Sequence, residues 1–540
     1  MIVEKLILDF YKNHKLYVIF HLILVIIILT LESIIVPRNI TNYSKNFNKK
    51  YLIILGILFI IVLGLYGLKY YLDNKLTTGH LSHMRSYLFS KILENSKDNY
   101  NDIKAGSTIS RIMTSTYEVK GCAYLVVNSI IPAVLFIIII AIYFSYYDIK
   151  FLFVFLGSFI VSFILIKIVK LEEATVKKEK FFLNLVDKLN SNFNNLINIY
   201  INNNTNEADS KNKKEEVIYA EKLRNSYNVY NKLQVSLSAV GYIVFLVCLY
   251  LFYYNYKRKN LTKSDISTLS FILIFFLTYW IKLSDDIPNV INKMGIVLAS
   301  EDFFNEVMGK KSLNRSIKKL NKGELKFKKL CFKYPNTDNF VIKDLNFNIK
   351  ENEKVGIIGK SGSGKTTLMK ILLSLYQPTS GTIYIDNIDI KKIDVEYLRD
   401  KISYVNQRTL LFSKSVLDNI RYGNNKSEKE IINLLNKYDL LTVFSKLNNG
   451  IYSNSGVDGN NLSLGMQKVV IIVRAVLKVK NNIIIIFDEP LAGLDQFTRK
   501  KIMKLIMDEC KDKTMIIITH DKEILPYMNT VIDLKKINNI

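Results

Sequence analysis

Cysteine is scarce. The 540 residues contain four, Cys122, Cys248, Cys331 and Cys510, scattered singly. That spacing supports neither a zinc site nor a disulfide framework, so reduced thiols are expected. No arginine-rich or aromatic-interleaved segment of the nucleic-acid-binding kind is present, which leaves no reason to expect a nucleic-acid partner. The charge alone would allow one: 74 Lys+Arg against 48 Asp+Glu give a net +26. A basic balance also suits an anionic membrane surface. Here Lys, Asn and Ile are abundant throughout, which reads as compositional bias more than as a designed patch. No small-residue cleavage site follows the first long apolar run, so a cleaved signal peptide is not expected; Glu4 and Asp9 argue against a mitochondrial transit peptide.

Apolar residues are plentiful, at 49%, but unevenly spread. Up to about residue 300 they form long blocks; after about residue 325 they form short strand-like and helical runs. Residues 1–15 are too short and too charged to span a bilayer. Ile2, Leu6, Ile7 and Phe10 share one helical face, with Lys5, Lys12 and Lys15 off it, which suits an interfacial helix. A spanning helix needs about 20 apolar residues. Six blocks qualify: 16–36, 51–71, 121–147, 151–169, 236–254 and 266–283. One such block is readily a buried core helix; six are not, so residues 16–308 are expected to form a membrane domain and the lipid bilayer is an expected partner.

The gaps between blocks give the topology. Blocks one and two, three and four, and five and six are joined by short loops. About fifty and about sixty-five polar, helical-looking residues separate the second from the third and the fourth from the fifth. An even number of spans places both chain halves on one side, and the phosphate-binding motif G-x-x-x-x-G-K-[ST] at Gly359–Thr366 in the second half, which implies ATP, makes that side the cytosol. The positive-inside rule disagrees. Arg38, Lys45, Lys49, Lys50, Lys257, Arg258, Lys259 and Lys263 would all fall outside. Asp285 and Asp286 close the sixth span and are expected as solvated interface residues, with Lys282 able to pair with Asp286 at i,i+4. The spans hold no ring of charges and no heme, metal or thiol motif. A lipid, a hydrophobic compound and a peptide all remain open as substrates.

The second half is organised around Lys354–Thr367, K-V-G-I-I-G-K-S-G-S-G-K-T-T. A short apolar strand leads into a glycine-rich turn and then a helix, the context the P-loop spacing G-x-x-x-x-G-K-[ST] requires. Glycines let backbone N–H groups turn around a phosphate, and the helix N-terminus adds partial positive charge. Gly359, Lys360, Ser361, Gly362, Ser363, Gly364, Lys365, Thr366 and Thr367 are the expected nucleotide cradle. Lys365 reaches the β/γ-phosphates and Thr366 ligates Mg²⁺. Further strands are expected at Leu325–Phe332, Val341–Ile349, Gly381–Ile385, Ile483–Phe487 and Met515–Thr519. The continuous apolar run Ile483–Phe487 fits a buried parallel strand. It delivers Asp488 and Glu489 at its C-terminal end, where α/β proteins place ligand groups. Asp488 is expected to hold Mg²⁺, directly or through water, and Glu489 to act as general base on the attacking water. His520, at the end of another buried strand, is expected to contact the γ-phosphate.

Together these motifs resemble the ATP-binding cassette (ABC) transporters, in particular exporter-type half-transporters. The resemblance covers nearly the whole chain. It implies a six-span α-helical membrane domain followed, over 324–540, by an α/β P-loop ATPase domain with a helical signature subdomain. Tyr334, in F-K-Y-P, is similar to the aromatic residue that stacks on adenine. Gln407, in Y-V-N-Q-R-T-L-L-F, is similar to the glutamine that senses Mg²⁺ and γ-phosphate. Leu411–Gly423 resembles the exporter subclass, Leu491–Asp495 the D-loop, and His520 the switch histidine. The signature departs from the family's LSGGQ: the chain reads L-S-L-G-M over Leu462–Met466, keeping Ser463 and Gly465 as nucleotide contacts. G-V-D-G (Gly456–Gly459) lacks the acidic residue usual at the position of Val457. Coupling helices are expected near Leu93–Asp102 and Asn190–Asn198. The resemblance implies a multi-pass protein with a cytosolic ATPase domain, working with a second half-transporter as a homo- or heterodimer. Its function would be ATP-driven export by alternating access, with ATP and Mg²⁺ as cofactors. A slow or catalytically silent regulatory subunit of a heterodimer is the alternative.

Overall fold

The structure, a computed structural model, describes residues 12–95, 105–308, 315–334, 337–360, 362–407 and 410–538. The interfacial helix expected over 1–15 and the first expected coupling helix fall mostly outside these residues. The chain divides into two compact units, with the main boundary between Gly309 and Lys310.

The first unit contains six helices long and apolar enough to cross a membrane: α1 (Lys15–Ser44), α2 (Lys49–Asn95), α3 (Gly106–Ser145), α4 (Lys150–Asn194), α5 (Thr205–Lys257) and α6 (Lys263–Ala299). They run from 30 to 53 residues, well beyond the span requirement. The polar stretches between blocks are thus continuations of the same helices. The apolar windows of α3 and α5 are 39% buried, that of α2 only 6%, so α2 turns nearly all its aliphatic surface outward. Two single π-turns, Leu31–Ile35 and Val126–Ile130, sit just before Pro37 and Pro132. A proline removes one N–H and crowds the preceding turn, and a wider turn absorbs both effects.

The unit's core is aromatic. Phe144 meets Phe151, Phe155 and Phe252 at centroid distances of 5.4, 6.1 and 5.6 Å. Trp280 of α6 lies against Gly241 of α5 and donates its indole N–H to the Leu237 carbonyl at 2.8 Å. A Cβ at Gly241 would come within 2.1 Å of the indole, so glycine is what allows these two helices to meet.

Several charged groups inside this unit pair with one another. His21 Nε2 lies 2.7 Å from Asp73, which also pairs with Lys69 at 3.0 Å. Tyr66 donates to Glu32 at 3.0 Å. Of the acidic pair at the end of the sixth span, Asp285 is exposed, whereas Asp286 departs from expectation. Asp286 is buried and accepts from the Ser129 hydroxyl rather than pairing with Lys282. Asp285 accepts from Tyr230 and Gln234, both at 3.1 Å. Burial on a packed helix face overrides the i,i+4 neighbour.

In the second unit, β1 (Leu325–Phe332), β2 (Ile342–Ile349), β4 (Ser380–Ile385) and β5 (Ile388–Asp389) form an antiparallel sheet in the order β2-β1-β4-β5. A parallel sheet holds β3 (Lys354–Ile358), β6 (Ile402–Val405), β7 (Ile484–Asp488), β8 (Thr514–Ile518) and β9 (Thr530–Asp533) in the order β6-β7-β8-β3-β9. Every residue of β7 and β8 is buried, which explains their unbroken apolar runs. β7 begins at Ile484 and ends at Asp488, one residue later than the apolar run suggests. The order matters for chemistry: β8 lies between β7 and β3, so the C-terminal ends of these three strands share one edge.

A candidate nucleotide site at the strand ends

The glycine-rich turn after β3 leads into α7 (Lys365–Leu372). Gly364, the N-cap residue, has φ +87°, and a Cβ there would come within 2.9 Å of the Val341 carbonyl. Both the left-handed backbone and the close approach require glycine. Lys365 Nζ reaches back to the carbonyls of Gly359 at 2.5 Å and Lys360 at 3.0 Å, and lies 3.3 Å from His520 Nε2. Its ammonium is held over the mouth of the turn. Burial lowers its pKa from the ordinary lysine value, opposed by Glu489 and Asp488. Ser363 borders Gly359 within the turn. Ser361 lies outside the described residues.

β7 and β8 supply the acidic side. Thr366 Oγ1 donates to Asp488 Oδ2 at 3.3 Å, and Tyr404 of β6 donates to the same oxygen at 3.4 Å. Asp488 is 2% exposed, and desolvation raises its pKa above the usual carboxylate range against the Thr366 hydrogen bond. Glu489 follows with φ +52°, a left-handed conformation that costs a non-glycine residue about 1–3 kcal/mol. Its N–H donates to the Ile518 carbonyl at 2.9 Å, and its carboxylate accepts from the His520 N–H at 3.1 Å. The His520 ring lies 3.9 Å from the same carboxylate. Parallel pairing of β7, β8 and β3 thus gathers Lys365, Thr366, Asp488, Glu489 and His520 at one place.

Other expected residues lie around this centre. Tyr334 shares a 2.8 Å hydrogen bond with the buried Thr367 hydroxyl, and its ring packs edge-on against Tyr376 at 5.6 Å. Gln407 follows β6 with its N–H on the Asn406 side chain at 2.8 Å; no described hydrogen bond links its amide to Asp488 or Thr366. Ser463 caps α8 (Leu464–Leu477), its hydroxyl accepting from the Met466 N–H at 3.3 Å. Gly465 faces the Gly493 carbonyl and Leu494, at 3.5 and 3.6 Å from a built Cβ. Neither Ser463 nor Gly465 bonds to the P-loop of the same chain in the described residues. Leu464 is 77% exposed at the start of α8.

Two members of the neighbourhood escaped sequence reasoning. Tyr404 pairs in register with Ile486, one strand from the acidic pair, and only the strand order reveals it. Lys468 is buried on α8 and donates to the Gln407 carbonyl at 3.2 Å. Burial lowers its pKa, with Asp488 and Glu489 pulling it back up. A lone lysine in Q-K-V-V-I-I-V, on the face of an otherwise apolar helix, was the available signal.

Comparison with known proteins follows the same division. Residues 15–279 match the family model described as ABC transporter transmembrane region, and residues 342–492 the one described as ABC transporter. A Plasmodium falciparum protein named ABC transporter ATM1 is 40% identical over 198 residues, which are 36% of this chain but 19% of that protein. The multidrug resistance-like ATP-binding protein MdlB of Buchnera aphidicola is 24% identical over 519 residues, covering 94% of this chain and 87% of its own length. In fold, the chain is similar to a bacterial Atm1-family ABC exporter solved with ATP bound: TM-score 0.84, 17% identity, 97% of this chain and 94% of that one.

Proposed function

The chain belongs to the ABC transporter family as a multi-pass membrane protein with a C-terminal ATPase module, and we propose that it is an ATP-driven exporter half-molecule. One observation carries the reading. Lys365, Thr366, Asp488, Glu489 and His520 converge at the C-terminal ends of three adjacent parallel strands, in a chain whose other unit has six membrane-length helices.

The residues divide the work by chemistry. Lys365 and the N-terminal N–H groups of α7 hold the β/γ-phosphates. Tyr334 offers an aromatic face to the base. Thr366 and Asp488 fit a hard cation: two adjacent oxygen donors, with the remaining positions left for phosphate oxygens and water. Held by these two residues, Mg²⁺ would supply positive charge against the developing phosphate charge. Glu489, oriented by the His520 N–H, accepts the proton of the attacking water, and the His520 ring faces the γ-phosphate. Lys468 keeps the Gln407 backbone fixed near this centre. Ser463 and the start of α8 make no bond to their own P-loop among the described residues, which supports their use on nucleotide held by a second copy or a related half-transporter. Binding of two ATP would draw two cassettes together, and hydrolysis would release them, with the ATPase module in the cytosol. At and after the end of α4, where a coupling helix is expected, Phe193, Ile197, Tyr200 and Ile201 are 65–75% exposed.

Exposed Leu464, where the family pattern has glycine, favours a second reading: a slow subunit whose signature works poorly. ATP hydrolysis by the reconstituted protein separates the two. Turnover that vanishes in Glu489→Gln supports a self-sufficient homodimer. Bound ATP without turnover, restored by Leu464→Gly, supports the slow subunit. Absence of ATP binding contradicts both.

A further inference from the structure

The three short connections between spans meet at one end of the membrane unit, opposite the end where α6 leaves it. Asn255 at the end of α5 donates to Asp148, between α3 and α4, at 3.0 Å. Lys150 and Arg258 both lie over the Tyr254 ring, at 4.5 and 4.4 Å from its centroid. Residues Val36–Asn46, after the first span and including Arg38, pack against α6.

This end is far more basic than the chain as a whole. Among described side chains it carries Arg38, Lys49, Lys50, Lys150, Lys257, Arg258, Lys259 and Lys263, against Asp148 and Asp265 alone. All eight cations are exposed, and none has an ion-pair partner among the described residues. Both carboxylates are taken by neutral donors. Asp265 closes a capping box with Thr262, and Asp148 accepts from Asn255 and from the Lys150 N–H. The opposite end of the same helices behaves differently. There Lys180, Lys188, Lys211 and Lys213 are each matched with Asp302, Glu215, Glu207 and Asp209. Compositional bias would load both ends alike and does not account for the contrast.

Exposed rings flank the cations. Phe47, Tyr146 and Tyr253 are 78, 88 and 55% exposed. Aromatic side chains of this kind sit at the level of lipid headgroups. We infer that this end is a lipid-binding crown, whose exposed Lys and Arg side chains engage the phosphates of anionic phospholipids in the leaflet opposite the one where α6 leaves the membrane unit. The crown does not depend on nucleotide.

The test uses the full chain and lipid retention by native mass spectrometry, comparing phosphatidylglycerol with phosphatidylcholine. Each basic side chain at an anionic surface contributes on the order of fivefold in affinity, so a preference for phosphatidylglycerol of at least about tenfold is expected at low salt. Neutralising Lys49, Lys50, Lys257, Arg258, Lys259 and Lys263 to Gln should reduce it to within about twofold. Neutralising Lys211, Lys213 and Lys214 at the other end should leave it intact. High salt should weaken the wild-type preference without any substitution. Retained preference in the six-site variant, or equal loss in the control, would overturn the inference. So would displacement of the lipid by soluble glycerol phosphate at equal concentration, which would make the crown a site for free anions.

Discussion

The two units handle buried charge in opposite ways. In the membrane unit, His21, Asp73 and Lys69 close on one another, and Asp286 closes on Ser129. In the ATPase unit, Asp488 is equally buried, yet its contacts are long hydroxyl donors at 3.3 and 3.4 Å, and no cation lies within ion-pair distance among the described residues. A half-satisfied buried carboxylate is costly and is retained where something else binds. Among these buried carboxylates, the one whose oxygens are incompletely satisfied marks the working site.

The sharpest way to break the comparison is Glu489→Gln. Hydrolysis should fall about 10²–10⁴-fold with ATP binding retained, measured by phosphate release beside equilibrium nucleotide binding. Undiminished turnover would remove Glu489 from the role of base. Gly364→Ala comes next. Its φ of +87° and the Val341 carbonyl 2.9 Å away predict more than about tenfold weaker ATP binding and about 1–3 kcal/mol of lost stability in the ATPase unit. On the membrane side, Gly241→Ala should push Trp280 off the α5 backbone and destabilise that unit by about 1–3 kcal/mol. Nucleotide affinity should be unchanged, as thermal unfolding with and without ATP would read.

The smallest effect concerns pH. Asp488 has its folded-state pKa raised, so the folded protein holds that proton more tightly than the unfolded chain. Stability without ligand should therefore fall as pH rises from the ordinary carboxylate value through the raised one. Mg²⁺ should reverse the slope by favouring the ionised form, and Asp488→Asn should flatten it. A slope unchanged in Asp488→Asn would assign the titration elsewhere.

Much of this was legible in the sequence because the signals are local. The P-loop is one contiguous stretch, and the six spans announce themselves by apolar length. Asp488 and Glu489 follow a buried strand, although the strand ends one residue later than its apolar run. What was not legible depends on neighbours far apart in the chain. Lys282 looked like the natural partner of Asp286, but packing of α6 against α3 hands that carboxylate to Ser129. Tyr404 and Lys468 join the site only through the order β6-β7-β8-β3 and the burial of one face of α8. The basic outer connections read as a conflict with the positive-inside rule; their convergence, and the lack of ion pairs among their described side chains, became visible only in three dimensions.

The central claim is that ATP moves the membrane unit. Spin labels on Tyr146→Cys, an 88% exposed position at the outer end, would report the distance between two copies in membranes. In the Glu489→Gln background, ATP with Mg²⁺ should shift that distance distribution to a new population, and removing nucleotide should return it. An unchanged distribution with ATP demonstrably bound would contradict ATP-driven alternating access.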